Sequence, residues 1–471
     1  MPRHERSRNV STVRPRNVAV VLAGGVGVRV GLGIPKQLIR IAGKAIVEHT
    51  LETLNDNPLI DEVIVMMNAA SIRELDYIRD DPRYDKLTAV LPGGDTRNDT
   101  TKLALDALPA DEEINVIFHD AVRPFIDDRI IADCVSALEE YQAVDTAIPS
   151  ADTIIEVDES RHITGIPVRS TLRRGQTPQA FHISAIRRAY AIAADDPDFA
   201  ATDDCGVVFK YTPEVPIYVV DGTPENMKVT EPLDIHIADK IFQLQTEDLS
   251  SPGGPAPDEF TGKTVVVLGA SYGIGASIVD GARSFGADVF AFSRSTTGTD
   301  ITSRKAVRAA LATAAEATGR IDFVIVTAGI LSIAPLNETK RRDLRRTLDV
   351  NLAAPAKIAQ EAYSYLEETQ GQLVYFTSSS YTRGRAGYSL YSATKAGIVN
   401  LTQALADEWA DAGVKVNCVN PQRTSTPMRT RAFGEEPAGT LLEAETVANV
   451  TLKLLTTDLT GQVINVVRGK D

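Results

Sequence analysis

The sequence predicts an α/β protein of two doubly wound domains in series. Three observations carry that prediction. Short apolar runs alternate with amphipathic stretches, the alternation occurs twice, and a proline- and glycine-rich segment separates the two series. At 471 residues the chain is too long for one ordinary core, since domains hold roughly 100 to 200 residues.

In the first half VAVVLAG, AIVEHTLETL, DEVIVMMN, NDTTKLALDAL and NVIFHDA follow one another as strand, helix, strand, helix and strand. In the second half KTVVVLGAS, an alanine-rich helical stretch, DVFAFSRS, another helical stretch and DFVIVTAG repeat the rhythm. Such spacing implies parallel sheets with helices on both faces. Residues 246–260, TEDLSSPGGPAPDEF, read as a linker. The expected organisation is therefore a disordered leader at 1–16, a first domain at 17–245, the linker, and a second domain at 261–471.

A formal net charge of -14 argues against a nucleic-acid binder, because phosphate backbones are held by basic surfaces. Any anionic ligand has to be gripped locally. No stretch approaches the ~18 apolar residues of a membrane span, and the arginine-rich leader lacks the apolar segment of a secretory signal. Cys134, Cys205 and Cys418 are scattered, without CxxC spacing, as expected of a reduced, cytoplasmic protein.

The stretch from Leu22 to Gln37, LAGGVGVRVGLGIPKQ, places glycines and the cations Arg29 and Lys36 straight after a strand. Ligands of open α/β sheets bind beyond the carboxyl ends of strands, where glycine admits a close ligand. The stretch matches neither a P-loop nor a dinucleotide fingerprint. It suits a nucleoside triphosphate whose charge the cations neutralise, and it also fits a plain glycine turn with surface charges. LPGGDTRNDTT, IFHDAVRPFI, TLRRGQTPQAF, TDDCG and ENMKVTEPLDI follow in order.

Together these motifs resemble, over residues 17–243, the cytidylyltransferase family that makes CDP-methylerythritol and CDP-ribitol, a nucleotidyltransferase fold of Rossmann-like form. LAGGxGxR, RNDTT and HDAVRPFI lean toward the ribitol 5-phosphate branch. The resemblance implies that Ala23, Gly24, Gly25, Gly94, Asp95 and Thr100 line the cytidine pocket. It implies that Arg29 and Lys36 hold the triphosphate of CTP, that Asp120 sits by Mg²⁺, and that Arg169 and Lys228 clamp the phosphate of the incoming polyol. On the residues alone, Asp120 could instead cap a loop and Arg169 could form a surface ion pair. His119 reads as structural.

In the second half Gly269, Gly273 and Gly275 lie between a strand and a helix in GxxxGxG spacing, which suits a dinucleotide pyrophosphate. The next strand ends in SRS, with Arg294 in place of an acid that would bind a ribose 2′-hydroxyl, and this favours NADPH. Tyr391 and Lys395 stand in YxxxK spacing, thirteen residues after Ser378. On a helix, i and i+4 share a face, so the ammonium is expected to lower the pKa of the phenol toward neutrality.

This set resembles the Rossmann-fold short-chain dehydrogenase/reductase family over residues 261–469. The resemblance implies that Ser378 and Tyr391 bind the substrate carbonyl, that Tyr391 moves the proton, and that Lys395 also holds the nicotinamide ribose. It implies that Asn351 completes a proton relay and Asp300 contacts adenine. Gly269, Ser271, Gly273, Ile274, Gly275, Arg294, Ala328 and Gly329 complete the cofactor set. Departures are Thr327–Gly329, where the family usually has NAG, and Pro421-Gln422, where it has Pro-Gly. The short stretch after Pro421 suits a small open-chain substrate.

The combination resembles the bifunctional family that reduces ribulose 5-phosphate with NADPH and couples the ribitol 5-phosphate to CTP, supplying cell-surface polymers. Small molecules are then its partners, with no nucleic acid or membrane, and a homodimer or larger assembly is expected from the helix carrying YxxxK. Three alternatives remain open: methylerythritol 4-phosphate as the acceptor, another keto sugar such as xylulose 5-phosphate, and a second half that binds cofactor without catalysis.

Overall fold

The computed structural model describes residues 14–25, 35–245, 254–256, 258–437 and 439–468, and for Leu244 and Gln245 the backbone alone. Arg29 and most of the linker lie outside the described residues, as does the leader up to residue 13. The chain divides into two compact units, one of Met1–Ile39 with Ala45–His236 and one of Arg40–Lys44 with Ile237–Asp471. The division falls inside the helix Pro232–Gln245, ahead of the boundary expected at 245.

The strands of the first series are β1 (Asn17–Ala23), β2 (Arg40–Ile41), β3 (Lys44–Ala45), β4 (Glu62–Met67), β5 (Leu87–Pro92), β6 (Asn115–Asp120), β7 (Ala143–Pro149), β8 (Glu156–Val157), β9 (Ile163–Gly165), β10 (Arg173–His182) and β11 (Ile217–Asp221). Seven of them form one sheet in the order β11-β7-β10-β6-β1-β4-β5. The sheet is mixed and departs from the all-parallel expectation, because β10 runs antiparallel to both β6 and β7. Its glutamines and threonine, in RRGQTPQAFH, conceal a strand that is mostly buried in the centre of the sheet.

β1 shows why the sheet forms. Val18, Val20 and Leu22 join one apolar cluster, whereas Ala19, Val21 and Ala23 join the cluster on the other face. Alternate side chains point to opposite faces of a strand, so an unbroken apolar run demands helices on both.

The second unit holds β12 (Thr264–Leu268), β13 (Asp288–Phe292), β14 (Phe323–Val326), β15 (Gln372–Phe376), β16 (Lys415–Pro421) and β17 (Val463–Val466), all parallel, in the order β13-β12-β14-β15-β16-β17. Val266 and Leu268 pack on one face and Val265 and Val267 on the other. Phe260, assigned to the linker on sequence, is buried in this core and packs edge-on against Phe323 at 5.7 Å between ring centres. The three cysteines are buried and unpaired. Among the described residues no helix is long and apolar enough to cross a membrane.

Candidate active sites

β1 and β6 are neighbours, with Leu22 opposite Asp120, and the strand order reverses beside them. Their carboxyl ends therefore flank the crevice where α/β sheets take ligands. Gln37 pins the end of β1 by donating Nε2 to the Ala23 carbonyl at 2.7 Å. Lys36 precedes it, and its Cε lies 3.3 Å from where a Cβ on Gly25 would stand. The Lys36 side chain thus lies against Gly25.

After β5 the motif GGDTRNDTT forms a capped helix start. The Asp99 amide donates to Thr96 Oγ1 at 3.1 Å, and the Thr96 amide donates to Asp99 Oδ2 at 3.2 Å. The box turns Thr100 back on the loop, where its Oγ1 accepts from the Gly94 amide at 3.1 Å. A Cβ on Gly94 would stand 2.9 Å from the Asp99 carbonyl carbon, so a side chain is excluded there. A Cβ on Gly24 would lie 3.3 Å from Thr100 Oγ1, which brings Gly24, Gly94 and Thr100 together. Asp95 is exposed beside Gly94.

Asp120 ends β6 almost fully buried, with its amide donating to Thr177 Oγ1 at 3.0 Å. Lys228 Nζ stands 2.9 Å from its Oδ2, and Arg123 Nε is 3.4 Å from the same oxygen. Burial alone would raise the carboxyl's pKa, but Lys228, Arg97 and Arg123 outweigh it and hold the group well below the usual carboxylate range. Asp120 is an ion-pair acceptor and not a loop cap. Lys228 is paired with Asp120, whereas Arg169 is exposed at the end of the arm bearing β8 and β9 and donates to the Ala151 carbonyl at 3.4 Å. His119 is structural: it is fully buried between Thr177 and the Arg123 carbonyl, and burial drops its pKa to about 4.

Sequence reasoning missed the support behind this site. Arg97 Nη1 lies 2.8 Å from Asp204 Oδ2, an ion pair without hydrogen-bond alignment. Asp204 is fully buried and also accepts from Thr101 Oγ1 at 2.9 Å and the Tyr190 hydroxyl at 2.7 Å. Gln179 Nε2 bridges Asp145 and Asp203 at 2.9 and 3.1 Å. Burial, with Asp203 adding repulsion, pushes Asp145 up to about 6. The signal was available, since Arg97 stands in RNDTT and Asp203–Asp204 in TDDCG, motifs whose charges no site role absorbed.

In the second unit the order reverses between β12 and β14, and both cofactor loops emerge there. Gly269 has φ +109°, and a Cβ on it would lie 2.7 Å from both Ala328 Cα and Thr327 Oγ1. Only glycine fits so close an approach of two loops. Thr327, where the family has asparagine, still ties them, its hydroxyl donating to the Gly269 carbonyl at 3.1 Å. Gly273 opens the helix Ile274–Ser284, with Gly275 in its first turn and Ser271 in the loop before it. This cradle of small residues at a helix N-terminus fits a dinucleotide pyrophosphate.

Asn351 lies in a π-helical turn, Asp349–Ala353, a form that often marks function. Its Oδ1 accepts from the Ile330 amide at 2.9 Å and its Nδ2 donates to the Ile330 carbonyl at 2.8 Å. A Cβ on Gly329 would lie 3.5 Å from Asn351 Oδ1 and 3.8 Å from Lys395 Nζ, so the three converge. Ser378 begins the turn Ser379–Tyr381, its Oγ accepting from the Ser380 amide at 3.5 Å, and Lys395 is buried one helical turn beyond Tyr391.

One expectation is corrected. Burial pushes the Tyr391 phenol up to about 12, with the Ser378 hydrogen bond opposing, and not toward neutrality. The ammonium of Lys395 lies 5.6 Å from the centre of the Tyr391 ring and donates to the Phe376 carbonyl at 2.7 Å, and burial lowers Lys395 to about 8. A cation that faces the ring and is itself desolvated does little for the phenol oxygen.

Fold and sites define a nucleotidyltransferase unit followed by a Rossmann reductase unit. The family profile described as 2-C-methyl-D-erythritol 4-phosphate cytidylyltransferase matches residues 17–244, and that of short chain dehydrogenase matches residues 295–437. The bifunctional ribulose 5-phosphate reductase/CDP-ribitol pyrophosphorylase of Haemophilus influenzae is 41% identical over 457 residues, 96% of each chain. The 2-C-methyl-D-erythritol 4-phosphate cytidylyltransferase of Thermobifida fusca (strain YX) is 46% identical over 235 residues, 49% of this chain and 94% of that one. The crystal structure of 4-diphosphocytidyl-2C-methyl-D-erythritolsynthase from Anaerococcus prevotii DSM 20548 aligns with a TM-score of 0.44 and 29% identity, covering 49% of this chain and 99% of that one.

The chain belongs to the family of bifunctional ribulose 5-phosphate reductase/CDP-ribitol pyrophosphorylases. It is an enzyme with a cytidylyltransferase half and a short-chain reductase half, and the latter implies a nicotinamide dinucleotide cofactor.

Proposed function

We propose that the chain makes CDP-ribitol from ribulose 5-phosphate in two steps, reduction by NADPH and then cytidylyl transfer from CTP. The observation that carries the reading is likeness to one two-activity relative along 96% of the chain. The surface-polymer supply and cytoplasmic location expected from sequence are part of the same reading.

In the reductase half, Ser378 and Tyr391 hold the C2 carbonyl oxygen of the ketose. The bound nicotinamide supplies the hydride. Tyr391 gives its proton to that oxygen as the carbon–oxygen double bond becomes an alcohol. Lys395 and Asn351 replenish the proton and position the ribose. Gly269, Ser271, Gly273, Ile274, Gly275, Ala328 and Gly329 hold the cofactor, with Asp300 toward adenine and Arg294 toward the 2′-phosphate.

In the other half, an oxygen of ribitol 5-phosphate attacks the α-phosphorus of CTP, and the bond to pyrophosphate breaks. The nucleophile is already an oxyanion, so charge neutralisation and in-line placement matter more than a base. Lys36 and Arg29 take the triphosphate, Ala23, Gly24, Gly25, Gly94, Asp95 and Thr100 line the cytidine pocket, and Arg169 and Lys228 take the polyol phosphate. Asp120 fits Mg²⁺, which needs only one or two carboxylates besides phosphate oxygens. Among the described residues there is no cluster of three or more metal-ligating side chains.

A second reading for the first unit is favoured by its 46% identity to a methylerythritol 4-phosphate enzyme. The test measures pyrophosphate release from CTP and Mg²⁺ with ribulose 5-phosphate, with and without NADPH, and in parallel with methylerythritol 4-phosphate. Release from the ketose only when NADPH is present supports the two-step reading. Release from methylerythritol 4-phosphate alone overturns it.

A further inference from the structure

A cavity of about 670 Å³ opens beside the expected adenosine end of the reductase site, lined by Arg294, Asp300 and residues of the helix Arg341–Leu348. Arg341, Arg342, Arg345 and Arg346 of that helix line it, as does Asp349 at the helix end. Five guanidiniums against Asp300 and Asp349 leave a formal +3 in this one cavity, in a chain whose net charge is -14. Among the described residues only Arg342 of the five is ion-paired, with Asp343 at 3.5 Å. Arg341 and Arg345, like Arg342 and Arg346, are i, i+4 neighbours, an arrangement that destabilises a helix unless an anion lies between the charges.

We infer that Arg345 and Arg346 form, with Arg294, the pocket for the adenosine 2′-phosphate, so that the reductase reads NADPH from two elements and not from Arg294 alone. The inference rests on the NADPH reading above.

The backbone around Arg294 is fixed by its neighbours. Arg294 follows Ser293 in a turn closed by the Thr297 amide donating to the Ser293 carbonyl at 3.1 Å, with Ser293 Oγ and Thr296 Oγ1 2.7 Å apart. Asp300 is held by the Thr302 amide at 2.9 Å and the Thr302 hydroxyl at 2.8 Å. These bonds, with Arg294 and Arg346 after them, keep its carboxyl below the usual range, so arginines of both elements act on Asp300. A 2′-phosphate brings close to two negative charges to a cavity of formal +3, whereas the 2′-hydroxyl of NADH brings none. The helix then runs directly into the π-helical turn carrying Asn351, which joins the phosphate wall to the catalytic end of the site.

The test is calorimetric titration of the full-length protein and of the Arg345→Ala/Arg346→Ala double variant with NADPH, NADH, 2′,5′-ADP and 5′-ADP. The double variant is expected to bind NADPH and 2′,5′-ADP roughly 10- to 100-fold more weakly, as lost charge-assisted hydrogen bonds would cause, and NADH and 5′-ADP less than about threefold more weakly. Arg345→Lys/Arg346→Lys should recover part of the loss. Equal weakening of all four ligands, or none, overturns the arginine assignment while the NADPH reading stands. A wild-type protein that binds NADPH no better than NADH overturns the NADPH reading itself, and this inference with it.

Discussion

Lys228 Nζ lies 2.9 Å from Asp120 Oδ2, joining residues that sequence reasoning gave separate duties, one to the acceptor phosphate and one to the metal. With Arg123 at 3.4 Å and Arg97 adding its field, the carboxylate is charge-balanced before any substrate arrives. On the proposed reading, entry of a metal triphosphate would exchange partners within a preformed set of charges. Preorganised charges of this kind stabilise a phosphoryl-transfer transition state without reorganisation.

Removing the cation should therefore act on one reaction only. Lys228→Met is expected to lower cytidylyl transfer by about 100-fold or more, the scale of a lost electrostatic contact in a transition state. NADPH-dependent reduction, measured in the same preparation, should change less than about twofold, because no atom of that site is altered. Transfer at the wild-type rate would remove Lys228 from the site.

Gly25 tests the position of Lys36. A Cβ there would lie 3.3 Å from Lys36 Cε, so Gly25→Ala should displace the lysine and weaken CTP use. Lys36→Ala should cost orders of magnitude in transfer, and the two changes together should cost little more than Lys36→Ala alone, since they act through one group. Additive losses in the double variant would show that the glycine acts on something else.

Arg97 and Asp204 make a stability prediction. Arg97→Met leaves a carboxylate buried without its cation and should destabilise the first unit by about 3 kcal/mol. Asp204→Asn should cost less, because an amide can still accept from Thr101 and Tyr190. Denaturant melts of the two variants give the comparison, and equal costs would mean that the ion pair is not what holds the loop.

Lys395 makes a pH prediction for the cofactor-free protein. Its pKa is about 8 in the folded state against an ordinary 10.5, so between these values the unfolded chain holds the extra proton. Its burial penalty is complete below pH 8 and is relieved as pH rises toward 10.5, a change of about 3 kcal/mol. Relative to Lys395→Met, the wild type should gain stability across that window in denaturant melts. A constant difference would show that Lys395 keeps its charge when buried.

Tyr391→Phe is expected to abolish NADPH oxidation and leave cytidylyl transfer intact, because the phenol is the proton donor on this reading. Retained oxidation would assign the proton to another group.

Much of both sites was legible because the motifs are local. Gly94 and Thr100 sit in one string, and the capping box within that string is what turns one toward the other. Gly269 and Gly273 lie in one loop, and Tyr391 and Lys395 on one helix. β10 was not legible as an antiparallel strand, because RRGQTPQAFH lacks alternation and its partners lie elsewhere in the chain. The arginines of the helix Arg341–Leu348 carried no motif in the sequence, and only the fold set them in one cavity with Arg294.

By itself the sequence determined two α/β halves, many of their strands and the identity of the chemical groups, since apolar periodicity, capping and glycine freedom act over a few residues. Tertiary structure decided which charges meet. It paired Lys228 with Asp120 and Arg97 with Asp204, and it set Lys395 5.6 Å from the centre of the Tyr391 ring. Charge interactions and desolvation depend on distance and burial through space, and neither is written in the spacing of residues along the chain.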